Sequence, residues 1–182
     1  MSINFQSTIY RQRRRSPSAK EDVMNDRYQT YLQLKTLHPR KYARDLAQLM
    51  NISEAELTHA RVDMEARRLQ PEAAALLAAL GTVGETKSIT RNEYAVHEQI
   101  GRYENLRLGQ HSGLIFNPRA LDLRLFIGKW ASAFHVQEQT LRGERRSIQF
   151  YDLHGDAVLK VYATPQTHLA HWDRLIDGFL HR

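Results

Sequence analysis

ITRNEYAVHEQIGRYENLRLGQHSGLIFNPRALDLRLFIGKW, residues 89–130, sets ionisable side chains among alternating apolar ones. A two-residue period of this kind belongs to strands that bury one face and leave the other open. His97, Arg102, Arg119 and Arg124 stand in this stretch among Tyr94, Tyr103, Phe116, Phe126 and Trp130. Imidazole, guanidinium and aromatic groups on strands suit the pocket of a flat apolar ligand that carries negative charge.

The same period extends on both sides, over residues 85–163, in short runs separated by Gly, Asn, Pro and Asp. Strands are expected at 86–90, 94–100, 112–116, 121–127, 130–138, 145–152 and 157–163, arranged as an antiparallel meander. Asn117-Pro118 and His154-Gly155-Asp156 are turn signals. Before residue 84 the spacing is helical. Tyr28, Tyr31, Leu32, Leu34 and Leu37 precede a His38-Pro39 break, and Tyr42, Leu46, Leu49 and Met50 form a second apolar stripe. Asn51 suits its end, and Ser53 with Glu56 forms a capping box that restarts the helix. A further helix over 71–80, with Pro71 in its first turn and Gly81 as its stop, closes an all-helical first portion. Leu169, Trp172, Leu175, Ile176 and Phe179 mark an amphipathic C-terminal helix. Helical hairpins, then a large antiparallel sheet, then one helix make the expected class α+β.

Composition bounds the rest. A chain of 182 residues with 42% hydrophobic content suits one domain with a real core. No apolar run approaches the ~20 residues that span a bilayer, so membrane insertion is not expected. With zero cysteines the chain holds no disulfide, thiolate metal site or cysteine nucleophile, so any metal ligand is nitrogen or oxygen. No nucleophile elbow, Walker loop, dinucleotide fingerprint or zinc-protease helix is present in the sequence.

The net charge of +6 is concentrated in one tail. Arg11, Arg13, Arg14, Arg15 and Lys20 precede the first acid, Glu21, leaving 21 basic against 20 acidic residues in the remainder. Residues 1–23 carry no sustained apolar period and read as a disordered basic extension, upstream of an alternative start at Met24, with a single domain at 24–182. The segment LAQLMNISEAELTHARV has the outline of a helix-turn-helix. Its second helix would present Glu54, Ala55 and Glu56 first, and those acids would face phosphates, so nucleic-acid reading is disfavoured.

Several long runs, KYARDLAQLMNISEAELTHARV, ITRNEYAVHEQIGRYEN, GLIFNPRALDLRLF, WASAFHV and SIQFYDLHGDAVLKVY, resemble in order the HemS/ChuS family of bacterial cytoplasmic haem-handling proteins. The likeness covers roughly residues 28–179 and is to the first of that family's two tandem repeats. It implies haem b as cofactor, haem trafficking for iron acquisition with support of oxidative haem degradation, a cytoplasmic location, and an importer or downstream acceptor as partner. The second repeat, near whose start the family's best-known axial histidine lies, has no counterpart here. A homodimer restoring two-repeat geometry, a weak one-domain binder and a truncated product without haem activity are the three outcomes that follow.

Within that frame His97 is the candidate axial ligand to haem iron, against the alternative of a hydrogen-bonded strand histidine beside Glu98 and Gln99. His111 and His135 are weaker alternatives. In LDLRLF, Leu121, Leu123 and Leu125 take one face while Asp122, Arg124 and Phe126 take the other. The resemblance implies that Arg124 faces the distal side of bound haem; the alternative is a surface pair with Asp122. Arg102, Arg142, Arg145, Arg146, Lys160 and Tyr162 are rim candidates, where cations would neutralise propionates and tyrosine would hydrogen-bond. Tyr162 is a pseudo-equivalent of a haem-site tyrosine in the family's second repeat. The catalytic residues are unknown. A regulatory protein using the Ser53 helix and the basic tail is the alternative from another class.

Overall fold

A computed structural model describes residues 19–91, 94–109, 112–115 and 123–182. Three helices come first: α1 (Ala19–Leu37), α2 (Ala43–Leu49) and α3 (Glu54–Ala60). Asn51 ends the second with φ of 55°, in the left-handed region that asparagine tolerates. Ser53 Oγ accepts from Glu56 N at 3.1 Å while Glu56 Oε2 accepts from Ser53 N at 2.8 Å, so the expected capping box starts α3. Because α1 begins at Ala19, it enters the segment expected to lack structure.

The first portion is not all helical. A four-residue strand, β1 (Ala66–Leu69), lies between α3 and α4 (Ala73–Ala79), and it pairs with β7 (Trp130–Thr140). The other strands are β2 (Gly84–Arg91), β3 (Val96–Arg102), β4 (Leu106–Leu108), β5 (Gly113–Ile115), β6 (Leu123–Leu125), β8 (Gly143–Asp152) and β9 (Ala157–Thr167), and α5 (Leu169–Gly178) follows. Six strands form one antiparallel sheet in the order β1-β7-β8-β9-β2-β3, and β4-β5-β6 form a second. The meander therefore holds locally, in β7-β8-β9 and β2-β3, while β2 returns to pair with β9. The Asn117-Pro118 turn lies outside the described residues.

Alternation gives the large sheet two faces with different covers. On one, Ala133, Ile148, Phe150, Leu159 and Val161 join Leu76, Leu77 and Leu80 near α4, Trp172, Leu175 and Ile176 of α5, Leu125 of the small sheet and Ile127 just after it. On the other, Phe134, Val136 and Tyr151 pack with Ala66, Ala55 and Val62, while Tyr31, Leu46, Ala47 and Leu57 hold α1, α2 and α3 together.

Polar groups fix the helical layer to its face. Tyr151 Oη donates to Gln149 Oε1 at 2.6 Å and shares a 2.7 Å hydrogen bond with the Thr58 hydroxyl. The Arg61 side chain, 2% exposed, pairs with Glu65 at 2.9 Å and Glu138 at 2.5 Å, and its guanidinium carbon lies 5.0 Å from the Tyr31 ring centroid. Burial pushes the guanidinium pKa down, but Tyr31, Glu138 and Glu65 outweigh that and raise it. Burial likewise pushes the Glu138 carboxyl up, and Arg61 and Arg145 more than reverse this, leaving it below its ordinary value.

Candidate functional site

The strand register decides which candidates face the same way. His97 aligns with Thr90, two residues from Ser88, whose hydroxyl shares a 2.6 Å hydrogen bond with buried Tyr103. His97 thus belongs to the face covered by α4, α5 and the small sheet, at the exposed end of edge strand β3. An exposed imidazole there has the donor chemistry of an axial ligand.

Arg124 aligns with Leu114 in the small sheet, one residue from buried Leu125, which joins the core on that same side. Phe126, the next residue, is 74% exposed, in keeping with the alternation expected of LDLRLF. Position 124 and exposed Phe126 thus take the face of the small sheet turned away from Leu125 and the core, and that small sheet covers the side of the large sheet to which His97 belongs. An imidazole, a guanidinium and an exposed aromatic are the residue types that a planar apolar group with a metal centre and anionic substituents would call on. His111, Phe116 and Arg119 lie outside the described residues.

Arg102, Lys160 and Tyr162 belong to the opposite face. Tyr162 aligns with Lys87 and Ser147, Lys160 with Ile89 and Gln149, and Arg102 with Glu85. Lys160 forms an ion pair with Glu54 beneath α3. Tyr162 lies between two cations, with Lys87 Nζ 5.5 Å and the Arg145 guanidinium carbon 5.4 Å from its ring centroid. Burial raises the Tyr162 pKa, and Arg145 opposes that. Arg145 is held in turn by Glu138, at 2.6 Å from Nη2. Arg146 pairs with Glu144 at 2.7 Å and with Asp173 at 3.0 Å, while Arg142 is exposed at the β7–β8 hairpin. Arg102 remains exposed, 4.0 Å from Glu104. Nothing local in the sequence marks Lys87 or Glu138, and Glu54 reads there only as an open acid at a helix start; the packing of α3 on the sheet, the β2–β9 pairing and the β7–β8 hairpin bring them to Lys160, Tyr162 and Arg145.

The helix that would read DNA is turned inward. Glu54 is 7% exposed, and Leu57, Thr58 and Ala60 are buried with it. Three successive positions of an acidic helix end were expected to be open; the first instead anchors Lys160.

His135, the other histidine alternative, is 2% exposed and its Nε2 accepts from Trp172 Nε1 at 3.2 Å. A ring used in this way is not presented to a ligand. Burial, with Arg67 and Arg146 nearby, pushes its pKa down to about 4. The unfolded chain protonates this ring near its ordinary value of about 6.5, so proton uptake favours unfolding between those two values. Stability present above pH ~6.5 should be lost as pH falls through ~4, by about 3 kcal/mol in all. Denaturant melts of wild type and His135→Gln between pH 7 and 4 check this: their stability difference should shrink with acid, and a pH-independent difference would contradict it.

A family model described as the haemin-degrading HemS.ChuX domain matches residues 51–179. The hemin transport protein HmuS of Yersinia pestis is 63% identical over 153 residues, covering 84% of this chain and 44% of the relative. Among solved structures, the haem-degrading enzyme ChuS of Escherichia coli O157:H7 superposes with a TM-score of 0.84 at 57% identity, over 87% of this chain and 47% of that one. Holo-PhuS, a haem-binding protein from Pseudomonas aeruginosa, gives 0.82 at 39% identity over 87% and 46%. The chain thus spans about half the length of these relatives.

Proposed function

Because the chain belongs to the haemin-degrading HemS/ChuX domain family, we propose that it binds haem in the cytoplasm, accepting it for iron acquisition and passing it on. The observation that carries this is the family match over residues 51–179, within which His97, Arg102, Arg124, Phe126, Lys160 and Tyr162 all fall. Residues 24–182 would act as one haem-handling repeat, with 1–23 as an extension to it. No helix among the described residues is long and apolar enough to cross a membrane.

In this proposal His97 would ligate the haem iron, Arg124 would donate hydrogen bonds to the bound group and Phe126 would pack against its ring. Bound haem would supply the redox chemistry of any oxidative breakdown, and the protein its orientation and hydrogen bonds. The large sheet separates His97 from Arg102 within one chain, so Arg102 would reach the same ligand from a second copy, as a homodimer with twofold symmetry allows. Lys160 and Tyr162 serve first to hold α3 and the strands beneath it. An importer or downstream acceptor would be the protein partner. The inward face of α3 leaves no observation favouring a nucleic-acid function.

Haemin-binding spectra of single variants test the assignment. His97→Ala should shift the Soret maximum and weaken binding by roughly tenfold or more, since even outer-shell changes cost that much at metal sites. Arg124→Ala should weaken binding and alter the spectrum of the haem-loaded protein. Spectra and affinities identical to wild type in both variants would remove these residues from the site.

A further inference from the structure

Two histidines outside the candidate haem site stand together where α5 begins. His168 is the N-cap residue and His171 follows three positions on; both are exposed. Their ring centroids are 5.6 Å apart and their planes are inclined at 38°. Each ring is held by its own neighbour. His171 Nδ1–H donates to the Thr82 carbonyl at 2.8 Å, which leaves Nε2 of the neutral ring with its lone pair free to coordinate. A backbone carbonyl on the far nitrogen is the usual support of a metal-ligating imidazole.

His168 is fixed from the other side. Its backbone N–H donates to Val83 O at 2.9 Å, and its ring lies over Gly84, where an added Cβ would stand 3.0 Å from Cδ2 and 3.6 Å from Nε2. Gly84 has φ of +79°, a conformation that also favours glycine. Glycine here gives the imidazole its place.

The ring spacing is within about half an ångström of that needed for shared coordination. Metal–nitrogen bonds of about 2.0–2.1 Å put each imidazole centroid roughly 3.2 Å from the ion, so two rings at a tetrahedral angle have centroids about 5 Å apart. Nitrogen donors select the ion class, because imidazole suits copper, nickel and zinc while calcium and magnesium take oxygen. Among the described residues no group of three or more His, Cys, Asp and Glu is placed to hold a metal. Two imidazoles would therefore be the His, Cys, Asp or Glu ligands among the described residues, with water completing the sphere. The positive end of the α5 dipole opposes a cation here, a small, solvent-screened effect beside two coordinate bonds.

We propose that His168 and His171 form a two-histidine site for a divalent transition-metal ion, with Cu²⁺ the tightest by the general order of such ions.

Trp172, adjacent to His171 and fully buried, provides a reporter, since a paramagnetic ion close by quenches indole fluorescence. The tag-free, haem-free 182-residue chain is titrated with Cu²⁺ by fluorescence and calorimetry, with electron paramagnetic resonance counting coordinated nitrogens. His168→Gln, His171→Gln and the double variant are compared, and thermal melts without metal check that each folds. The expected result is a saturable phase at one ion per chain with two imidazole nitrogens, weakened about tenfold or more by either substitution and abolished by both. Gly84→Ala, which keeps both ligands but crowds His168, should weaken the same phase. Absence of that phase in wild type, or its survival in the folded double variant, would overturn the site.

Discussion

Arg61→Ala should destabilise the protein by about 4 kcal/mol and lower its melting temperature by roughly 10 °C. The guanidinium is the hub between the helical layer and the sheet: it touches Glu65 in its own turn, Glu138 on β7 and the Tyr31 ring on α1. Its removal leaves the Glu138 carboxylate, 10% exposed in its side chain, with Arg145 as its remaining cation. A buried charge that loses a partner costs several kcal/mol, far more than an exposed pair is worth. Glu138→Gln alone should cost less, because an amide tolerates the missing charge. Urea melts of both single variants and the double variant measure the coupling, which should exceed 1 kcal/mol. Additive effects would mean that the pair contributes nothing beyond its two separate side chains.

Gly155→Ala is the second large effect. Gly155 has φ of +81°, and a Cβ there would stand 2.4 Å from Ser53 Oγ and 2.5 Å from Ser53 Cβ. Its carbonyl also accepts from Ala55 N at 3.0 Å, so the β8–β9 turn is clamped onto the first turn of α3. Left-handed backbone costs a non-glycine residue about 1–2 kcal/mol, and overpacking a tight contact about 1–3 kcal/mol more. Together they predict a loss of about 3 kcal/mol, with looser seating of α3 and of the Glu54–Lys160 pair. Adding Ser53→Gly should recover part of that loss despite weakening the cap by a few tenths of a kcal/mol. A melt of Gly155→Ala within 0.5 kcal/mol of wild type, the ordinary scatter of surface substitutions, would contradict the contact.

Local signals in the sequence were decisive where the structure is local. The Ser53–Glu56 box, the Asn51 stop, the turn at Gly155 and the buried stripe of Trp172, Leu175 and Ile176 all follow from neighbours within a few residues. Strand β1 was not legible, since four residues with both ends buried and two exposed between them have neither a helical nor an alternating period. It exists because β7, more than sixty residues later, offers an edge.

The site divides in the same way. Alternation correctly separated Leu125 from Phe126, but it could not say which faces of different strands coincide. His97 and Tyr162 both sit on β-strands with mixed polarity, yet the Thr90–His97 and Lys87–Tyr162 pairings put them on opposite sides of one sheet. Lys160 read as a free cation because its partner, Glu54, precedes it by 106 positions.

The most direct test of haem binding by this chain is a haemin titration of the purified 182-residue protein without affinity-tag histidines, followed at the Soret band and by sedimentation. The expected result is a saturable shift at a defined stoichiometry, with the haem-loaded protein sedimenting as a dimer. An unsaturable, nonspecific absorbance change would contradict it: the family's fold would then persist here without its haem function.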